Sequence, residues 1–540
     1  MFDFTPIRKA HPVKHHTFDC KILRDFVCVY CDVNTTLWGV WMSTGDSMEN
    51  LQTKQVIEVI NNILYNKQKR TKNAKVLIFI NDIQKLQVFG NADIYYENGD
   101  KRPEVEMPYC VFRDAELLAK DGIKSLNHMI DTISSYGVEP CKMRLTYASQ
   151  AKKEFFRPIE KECWEDVKKH KRFTNDLSTY YGELAGTTAG FLRLNETTCG
   201  YTIRNVTSFD KSSAYPSKYV QISNFPIGKV YEAKTRKLEK LADLIKSGEW
   251  FQIVFENVSL PNSMTYFKSK YYCSYGINQY DYALCYRIPE LYDTLIKCLN
   301  SFDFKLFFTD ESGYLIKPFR DRIVEHYELK ESAKTKEEKS KYKVGIDLLY
   351  GKSIQKQEFH TNADVFRYYA HRGENYLLPH WARIVVSSTK MDVFDAYIAD
   401  KMAVAADTDS VKSLESVDTL EHMFSERNEK IMKLNADSGY PDCKIGTWKK
   451  EYTASRFLQL THKQYLYEAD GEITYKIAGF PKEDIYSELK RYRVKDPFKF
   501  FETKPELLIT YENQVRYDVE TDRFEKVKKL VKVGVFGGEP

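Results

Sequence analysis

A chain of 540 residues, 43% hydrophobic and 29% charged, has the composition of a globular protein large enough for several cores. Its net charge of +5 is too small to mark a nucleic-acid binder by itself, so local clusters must carry that argument. No apolar run approaches the roughly 18 residues of a membrane span, and "MFDFTPIRKAHPVKHH" lacks the apolar stretch of a secretory signal.

That first segment, with His11, His15 and His16, reads as a solvated basic tail. "DFVCVYCDVNTTLWGVWM" (25–42) reads as strand, turn, strand. Its Cys28 and Cys31 have no second pair at zinc-finger spacing, so they read as buried strand thiols. The eleven cysteines are scattered and odd in number, which fits a reducing cytoplasmic setting. An amphipathic helix is expected near 54–66, a buried strand at 74–82 and a helix at 114–133, an α/β or α+β domain that ends near 185.

"NVTSFD" (205–210) reads as a strand running into a turn, and 230–318 as a separate lobe of short strands and helices. Residues 319–350 read as two helices joined by a polar turn, 354–378 as β-rich, and 379–398 as an apolar helix. "AVAADTDSV" (403–411) reads as a strand, and residues 456–479 as a hairpin turning at Asp470-Gly471.

The chemistry gathers on three of these stretches. Asp407 and Asp409 stand two apart on a strand, which puts both carboxylates on one face. Like charges so close repel, and two bound divalent cations would relieve them. Asp210, closing the strand at 205–210, is the acid that would complete such a site with Asp407, two Mg²⁺ ions clamping the attacking and leaving oxygens of a phosphoryl transfer. Lys339, Lys343, Asp347 and Tyr350 are spaced by four, four and three on one helix face, where the lysines suit triphosphate oxygens. The ring of Tyr215, set under a sugar, would clash with a 2′-hydroxyl and favour deoxynucleotides. Each feature alone also reads as a capped turn, a solvated charged helix or a packed ring.

Together and in order they resemble family B DNA polymerases. "DKSSAYPS" (210–217), with Ser213, Ala214 and Tyr215 at its centre, is similar to that family's motif A. "KVGIDLLYG" (343–351) is similar to motif B and "ADTDS" (406–410) to motif C. "PHWAR" (379–383) resembles the template-contacting element ahead of motif C, and "KQY" (463–465) the primer-contacting K-x-Y. The short chain, the 230–318 lobe between motifs A and B and the alanine before Arg383 resemble the protein-primed branch, the polymerases of small linear-genome phages and linear plasmids.

The resemblance implies an α+β fold: a right-hand polymerase preceded by a ribonuclease-H-like 3′–5′ exonuclease-type domain. The implied layout is exonuclease-like domain 1–185, palm 186–232 and 380–485, and fingers 319–353. Terminal-protein-region-like insertions are implied at 233–318 and 354–379, and a thumb at 486–540. Asp210 and Asp407 would hold two Mg²⁺ ions, with Mn²⁺ able to substitute, and Asp409 would support them. Ser213, Ala214, Tyr215, Lys339, Lys343, Asp347 and Tyr350 would meet the dNTP. Gly190, Arg383, Lys463, Tyr465 and the basic Lys490, Arg491 and Arg493 would meet DNA. Implied partners are primer-template DNA, dNTPs and a terminal protein as primer, for a monomer in the host cytoplasm.

The departures fall mainly in the first domain. The family's first exonuclease motif, D-x-E, is Asp32-Val33-Asn34 here. Lys85 stands where the second motif has an acid, and the third keeps Asp166 but has Glu162 for its tyrosine. An amide and a cation in place of carboxylates should empty at least one metal site, so proofreading is expected to be absent or weak. Motif C is preceded by Ala405-Ala406 where an aromatic residue is usual. Two other classes remain open: a DNA-binding replication scaffold on an impaired polymerase, and a metal-dependent nuclease, for which the first domain lacks the acids.

Overall fold

The computed structural model describes residues 22–32, 35–71, 75–89, 104–107, 109–118, 123–135, 155, 190–228, 230–268, 274–353, 379–477, 482–503, 506–518 and 523–534. The chain divides into two compact units, residues 1–154 with 510–531 and residues 155–509 with 532–540. Among the described residues no helix is long and apolar enough to cross a membrane.

The N-terminal unit runs β1 (Ile22–Cys31), β2 (Trp38–Met42), β3 (Ser47–Leu51), α1 (Thr53–Arg70), β4 (Lys75–Ile80), β5 (Glu104–Glu106), β6 (Cys110–Asp114) and α2 (Leu126–Ser135). Its sheet has the order β3-β2-β1-β4-β6-β5, with β4 parallel to both β1 and β6 and the outer pairs antiparallel. After Lys75, "VLIFI" is apolar throughout because β4 is buried on both faces. Val76, Ile78 and Ile80 pack against Val56 and Ile60 of α1. Leu77 and Phe79 pack with Met129 and Ile133 of α2. Cys28 and Cys31 are buried thiols of β1, as expected. The helix expected over 114–133 is shorter: residues 110–114 pair with β4 as a strand, a 3₁₀ turn follows at Glu116–Leu118, and the helix begins only at Leu126. The sheet claims only Asp114 of the expected helix, and the 3₁₀ turn at Glu116–Leu118 follows it.

The second unit opens with β7 (Phe191–Leu194), β8 (Thr202–Ile203), β9 (Val206–Lys211), α3 (Ala214–Gln221) and β10 (Phe225–Pro226). The lobe follows: β11 (Val230–Glu232), α4 (Lys237–Ser247), β12 (Phe251–Glu256), β13 (Ser274–Asn278), α5 (Gln279–Tyr286), α6 (Pro289–Ser301) and β14 (Lys305–Thr309). Its sheet, β11-β14-β12-β13, encloses a core of its own with α4 and α6. After β15 (Ser312–Gly313) come α7 (Lys317–Ser332) and α8 (Lys336–Ser353), the two helices read from the sequence. The apolar helix α9 (Pro379–Ala399) then leads to β16 (Ala403–Thr408), β17 (Ser410–Ser413), α10 (Val417–Asp437) and β18 (Trp448–Ala454).

The central sheet of this unit is antiparallel, in the order β18-β9-β17-β16-β7. One face packs Phe209, Ala406 and Val411 onto Val393 and Phe394 of α9 and Leu420 and Phe424 of α10. A second sheet joins β8 to β19 (Arg456–Thr461), β20 (Gln464–Ala469) and β21 (Glu472–Ile477). The β20–β21 turn is Asp470-Gly471, both at positive φ (53° and 79°), as the sequence predicts. Helices α11 (Lys482–Arg491) and α12 (Pro497–Thr503) cover that sheet, and β22 (Glu506–Asp518) pairs with β23 (Arg523–Gly534). Asn34, Asp166 and the β-rich stretch expected at 354–378 lie outside the described residues.

Candidate active site

Ladder register brings the acids together. Asp407 is cross-strand from Ser410 in the β16–β17 hairpin, and Ser410 is cross-strand from Asp210 on β9. Two segments far apart in sequence thus meet at one end of the sheet. The two acids of "DTD" do not share a strand as alternation suggests. Thr408 and Asp409 are the two-residue turn, and Thr408 holds φ = 59°, a left-handed conformation that costs a β-branched residue roughly 1–2 kcal/mol. That turn presents Asp409 beside Asp407, while the Asp409 carbonyl accepts the Lys211 N–H at 2.8 Å. Ser213, at the start of α3, is also left-handed (φ = 50°). Backbone strain flanks the acids on both chain segments.

Burial, then the nearby charges of Asp409 and Glu451, push the Asp210 carboxyl up to about 7, against a smaller opposing pull from Lys412 and Lys343. Burial, then Asp407, push Asp409 up to about 6, with the same two lysines opposing. Burial first and neighbouring carboxylates second thus disfavour the charged forms here, which a divalent cation would relieve. Among the described residues no three His, Cys, Asp or Glu side chains could hold an ion by themselves. Asp210 and Asp407 fit as two ligands of a shell that other oxygens would complete.

Opposite the acids lie the helices α7 and α8. Lys343 is exposed on α8 and close enough to weigh on Asp210 and Asp409. Lys339, one turn earlier, is exposed as well. Lys330 of α7 is buried; its ammonium donates to Ser213 Oγ at 2.9 Å and pairs with Glu331 at 3.0 Å. The Tyr215 and Tyr350 rings meet at 4.8 Å, tilted by 41°. Burial, then Tyr350, Asp409 and Asp407, raise the Tyr215 phenol. Asp347 is exposed on α8, and Ala214 is buried at the start of α3. Gly190 passes against the turn: a Cβ there would lie 2.8 Å from Thr408 Cγ2 and 3.1 Å from the Tyr215 hydroxyl. Close packing against the turn therefore explains that glycine.

The residues expected at DNA divide. Lys463 is exposed in the β19–β20 turn at φ = 58°, and Lys490, Arg491 and Arg493 are exposed at and after the end of α11, with Arg491 paired to Glu488. Tyr465 is buried to 8% exposure against Phe457 and Tyr467. Of the aromatics interleaved with that basic run only Tyr492 is exposed; Phe498 and Phe501 belong to the core beneath it.

Arg383 departs from its expected role as a template contact. It is 1% exposed, on the enclosed helix α9, and pairs with Asp281 of α5 at 2.9 Å. Ser387 donates to the same carboxylate oxygen. A buried guanidinium needs such a counter-charge, and the pair ties the lobe to α9. As placed, this arginine offers nothing to a template.

Three groups of this site escaped the sequence reading: Lys330, Glu451 and Lys412. None belongs to a motif. Lys412 lies two residues beyond "ADTDS", on the face of β17 that carries Ser410, and that alternation is the one signal that could have found it.

In the N-terminal unit, Lys85 is buried and donates to the Cys31 carbonyl at 2.6 Å. Burial pulls its ammonium down, while Cys31, Asp82, Glu116 and Asp114 hold it up. Asp32, half-buried at the end of β1, accepts from Thr35 Oγ1 at 3.1 Å. A cation thus already sits among these acids.

No family model and no curated protein matches the sequence. Among solved structures the chain is similar to phi29 DNA polymerase complexed with primer-template DNA and incoming nucleotide, with a TM-score of 0.58 and 12% identity over 96% of this chain and 100% of that one. It is similar to the same polymerase complexed with single-stranded DNA, with a TM-score of 0.57, 14% identity and the same coverage. The orthorhombic crystal form gives a TM-score of 0.56 at 14% identity. At these identities the likeness is one of fold.

Proposed function

We propose that this chain, which has the α+β fold of phi29 DNA polymerase, a protein-primed family B enzyme, is itself a DNA-templated DNA polymerase. It adds deoxynucleotides to a 3′-hydroxyl by two-metal phosphoryl transfer, in the replication of a phage or plasmid genome. The observation that carries this is the convergence of Asp210, Asp407 and Asp409 at one end of the sheet, with two of the carboxyls held well above their ordinary range opposite Lys343.

Each group then has a task. Asp210 and Asp407 hold the ions, and Asp409 keeps the turn and its charge in place. Two Mg²⁺ ions, when bound, activate the primer hydroxyl and neutralise the leaving pyrophosphate. Lys343, with Lys330 beside it, offsets triphosphate charge. Tyr215, backed by Tyr350 at 4.8 Å, walls the space under the sugar and excludes a 2′-hydroxyl. Lys463 and the Tyr465 ring hold the primer end. A terminal protein as first primer follows from the branch that the fold resembles.

The N-terminal unit has no working 3′–5′ exonuclease in this reading, because the Lys85 ammonium already occupies its acid cluster. Extension of a labelled primer-template with Mg²⁺ and dNTPs tests the main reading. No extension alongside intact DNA binding would leave the scaffold instead. Brisk Mg²⁺-dependent shortening of a 5′-labelled single strand, lost in Asp32→Ala, would overturn the exonuclease reading.

A further inference from the structure

Lys412 lies in the middle of β17, cross-strand from Ser208 on β9 and from Ala405 on β16. It is 1% exposed, yet it belongs to no ion pair among the described residues. Its one hydrogen bond runs to Ser410 Oγ at 2.9 Å, and its ammonium lies 4.8 Å from the centre of the Tyr465 ring. Lys218, also buried, makes a short ion pair with Asp392 at 2.6 Å. Lys412 instead faces four carboxylates at longer range: Asp407 of β16, Asp409 of the turn, Asp210 of β9 and Glu451 of β18. Ala405, small where Lys412 crosses it, leaves room for the lysine stem.

We propose that Lys412 is a positioning residue of the polymerase site, an internal cation that tempers the charge the acids offer a metal and seats the Tyr465 ring beside them. The proposal rests on the polymerase reading. It makes two effects move in opposite directions. Without the ammonium, four carboxylates face one lysine fewer, so a divalent cation binds more tightly to the DNA-free protein. The ring also loses the cation against it, so the primer end is held less well.

The test is Lys412→Met in the full chain. Mn²⁺ affinity of the DNA-free protein, read by electron paramagnetic resonance, should tighten roughly tenfold. KM for the primer terminus should rise roughly tenfold with KM for dNTP unchanged, the size of effect expected when a ring contact of this kind is lost. Lys412→Arg, which keeps the charge, should restore both in large part. Mn²⁺ affinity that stays the same or weakens would overturn the proposal, because general damage lowers binding and activity together. If Lys412→Met does not fold, Tyr465→Leu decides: it should raise the primer KM and leave Mn²⁺ affinity unchanged, and a change in Mn²⁺ affinity with no change in primer KM would overturn the link to the ring. Failure of the native protein to extend any primer would sink the polymerase reading, while the Mn²⁺ measurement would still judge Lys412.

Discussion

Lys85 in the N-terminal unit and Lys412 in the second unit are both buried lysines among carboxylates, but beside Lys85 one described acid, Glu116, is pushed up, and beside Lys412 two are, Asp210 and Asp409. Lys85 bonds a backbone carbonyl and draws on Asp82, Asp114 and Glu116. Lys412 shares its charge among four acids, and Asp210 and Asp409 are still pushed up to about 7 and about 6. A count of acids is therefore a poor guide to a metal site. What matters is the negative charge left after the internal cations are counted, and on which strand ends the acids stand. In the second unit that remainder lies where β9 and the β16–β17 turn meet.

The largest expected effect breaks the comparison most directly. Asp407→Asn should lower primer extension by about three orders of magnitude, since it removes a proposed metal ligand. Asp32→Ala in the other unit should leave extension and strand shortening unchanged. Steady-state extension rates, with a shortening assay on the same preparations, check both. Equal losses in the two variants would mean that the N-terminal acids work after all.

Next in size is the lysine that already fills the first cluster. Lys85→Ala leaves Asp82, Asp114 and Glu116 without their cation, and burial already pushes Glu116 up to about 7. We expect a loss of roughly 2–4 kcal/mol in the N-terminal unit, measured by urea unfolding. Added Mn²⁺ should restore part of it in the variant and none in the native chain. Mn²⁺ stabilisation of the native unit would show that the cluster still accepts a metal.

A smaller effect separates the clusters by pH. Asp210 and Asp409 have folded pKa values above the ordinary 3.8, so the folded state keeps protons that the unfolded chain has lost. The metal-free second unit should therefore lose stability as pH rises from about 4 to about 7, the reverse of an ion-paired aspartate. Mg²⁺ should oppose that loss, and more strongly at pH 8 than at pH 6, because protons compete for the same oxygens. Melting temperatures across pH, with and without Mg²⁺, read this. A metal-free midpoint that climbs over that window would contradict the charge remainder.

Much of this was legible in the sequence because the informative residues are local. The strand "KVLIFI", the two helices of 317–353 and the Asp470-Gly471 turn follow from period and turn chemistry within a few residues. The meeting of Asp210 with the 407–410 hairpin was legible only through motif order. Alternation alone misplaced Asp409, which lies in a strained turn and not on the strand face, since a two-residue turn overrides the period of two. The burial of Arg383 was not legible because its counter-charge, Asp281, is about a hundred residues away and nothing local announces a buried pair. Lys330, Glu451 and Lys412 were missed for the same reason: each owes its place to sheet register or helix packing.

The smallest effect concerns the basic run after the second sheet. Lys490, Arg491 and Arg493 are exposed, with Phe498 and Phe501 buried beneath as support. Arg491 already shares its charge with Glu488, so the three are unequal. Replacing Lys490 or Arg493 by alanine should weaken primer-template binding about threefold to tenfold at low salt and reduce the salt slope by about one per residue. Arg491→Ala should do less, because its guanidinium is already engaged by Glu488 and has less to give to a phosphate. Anisotropy titrations over a range of salt give both affinity and slope. Slopes unchanged from the native chain in all three variants would put this run outside the DNA path, and the remaining exposed basic candidate, Lys463 in its turn, would then have to carry the contact.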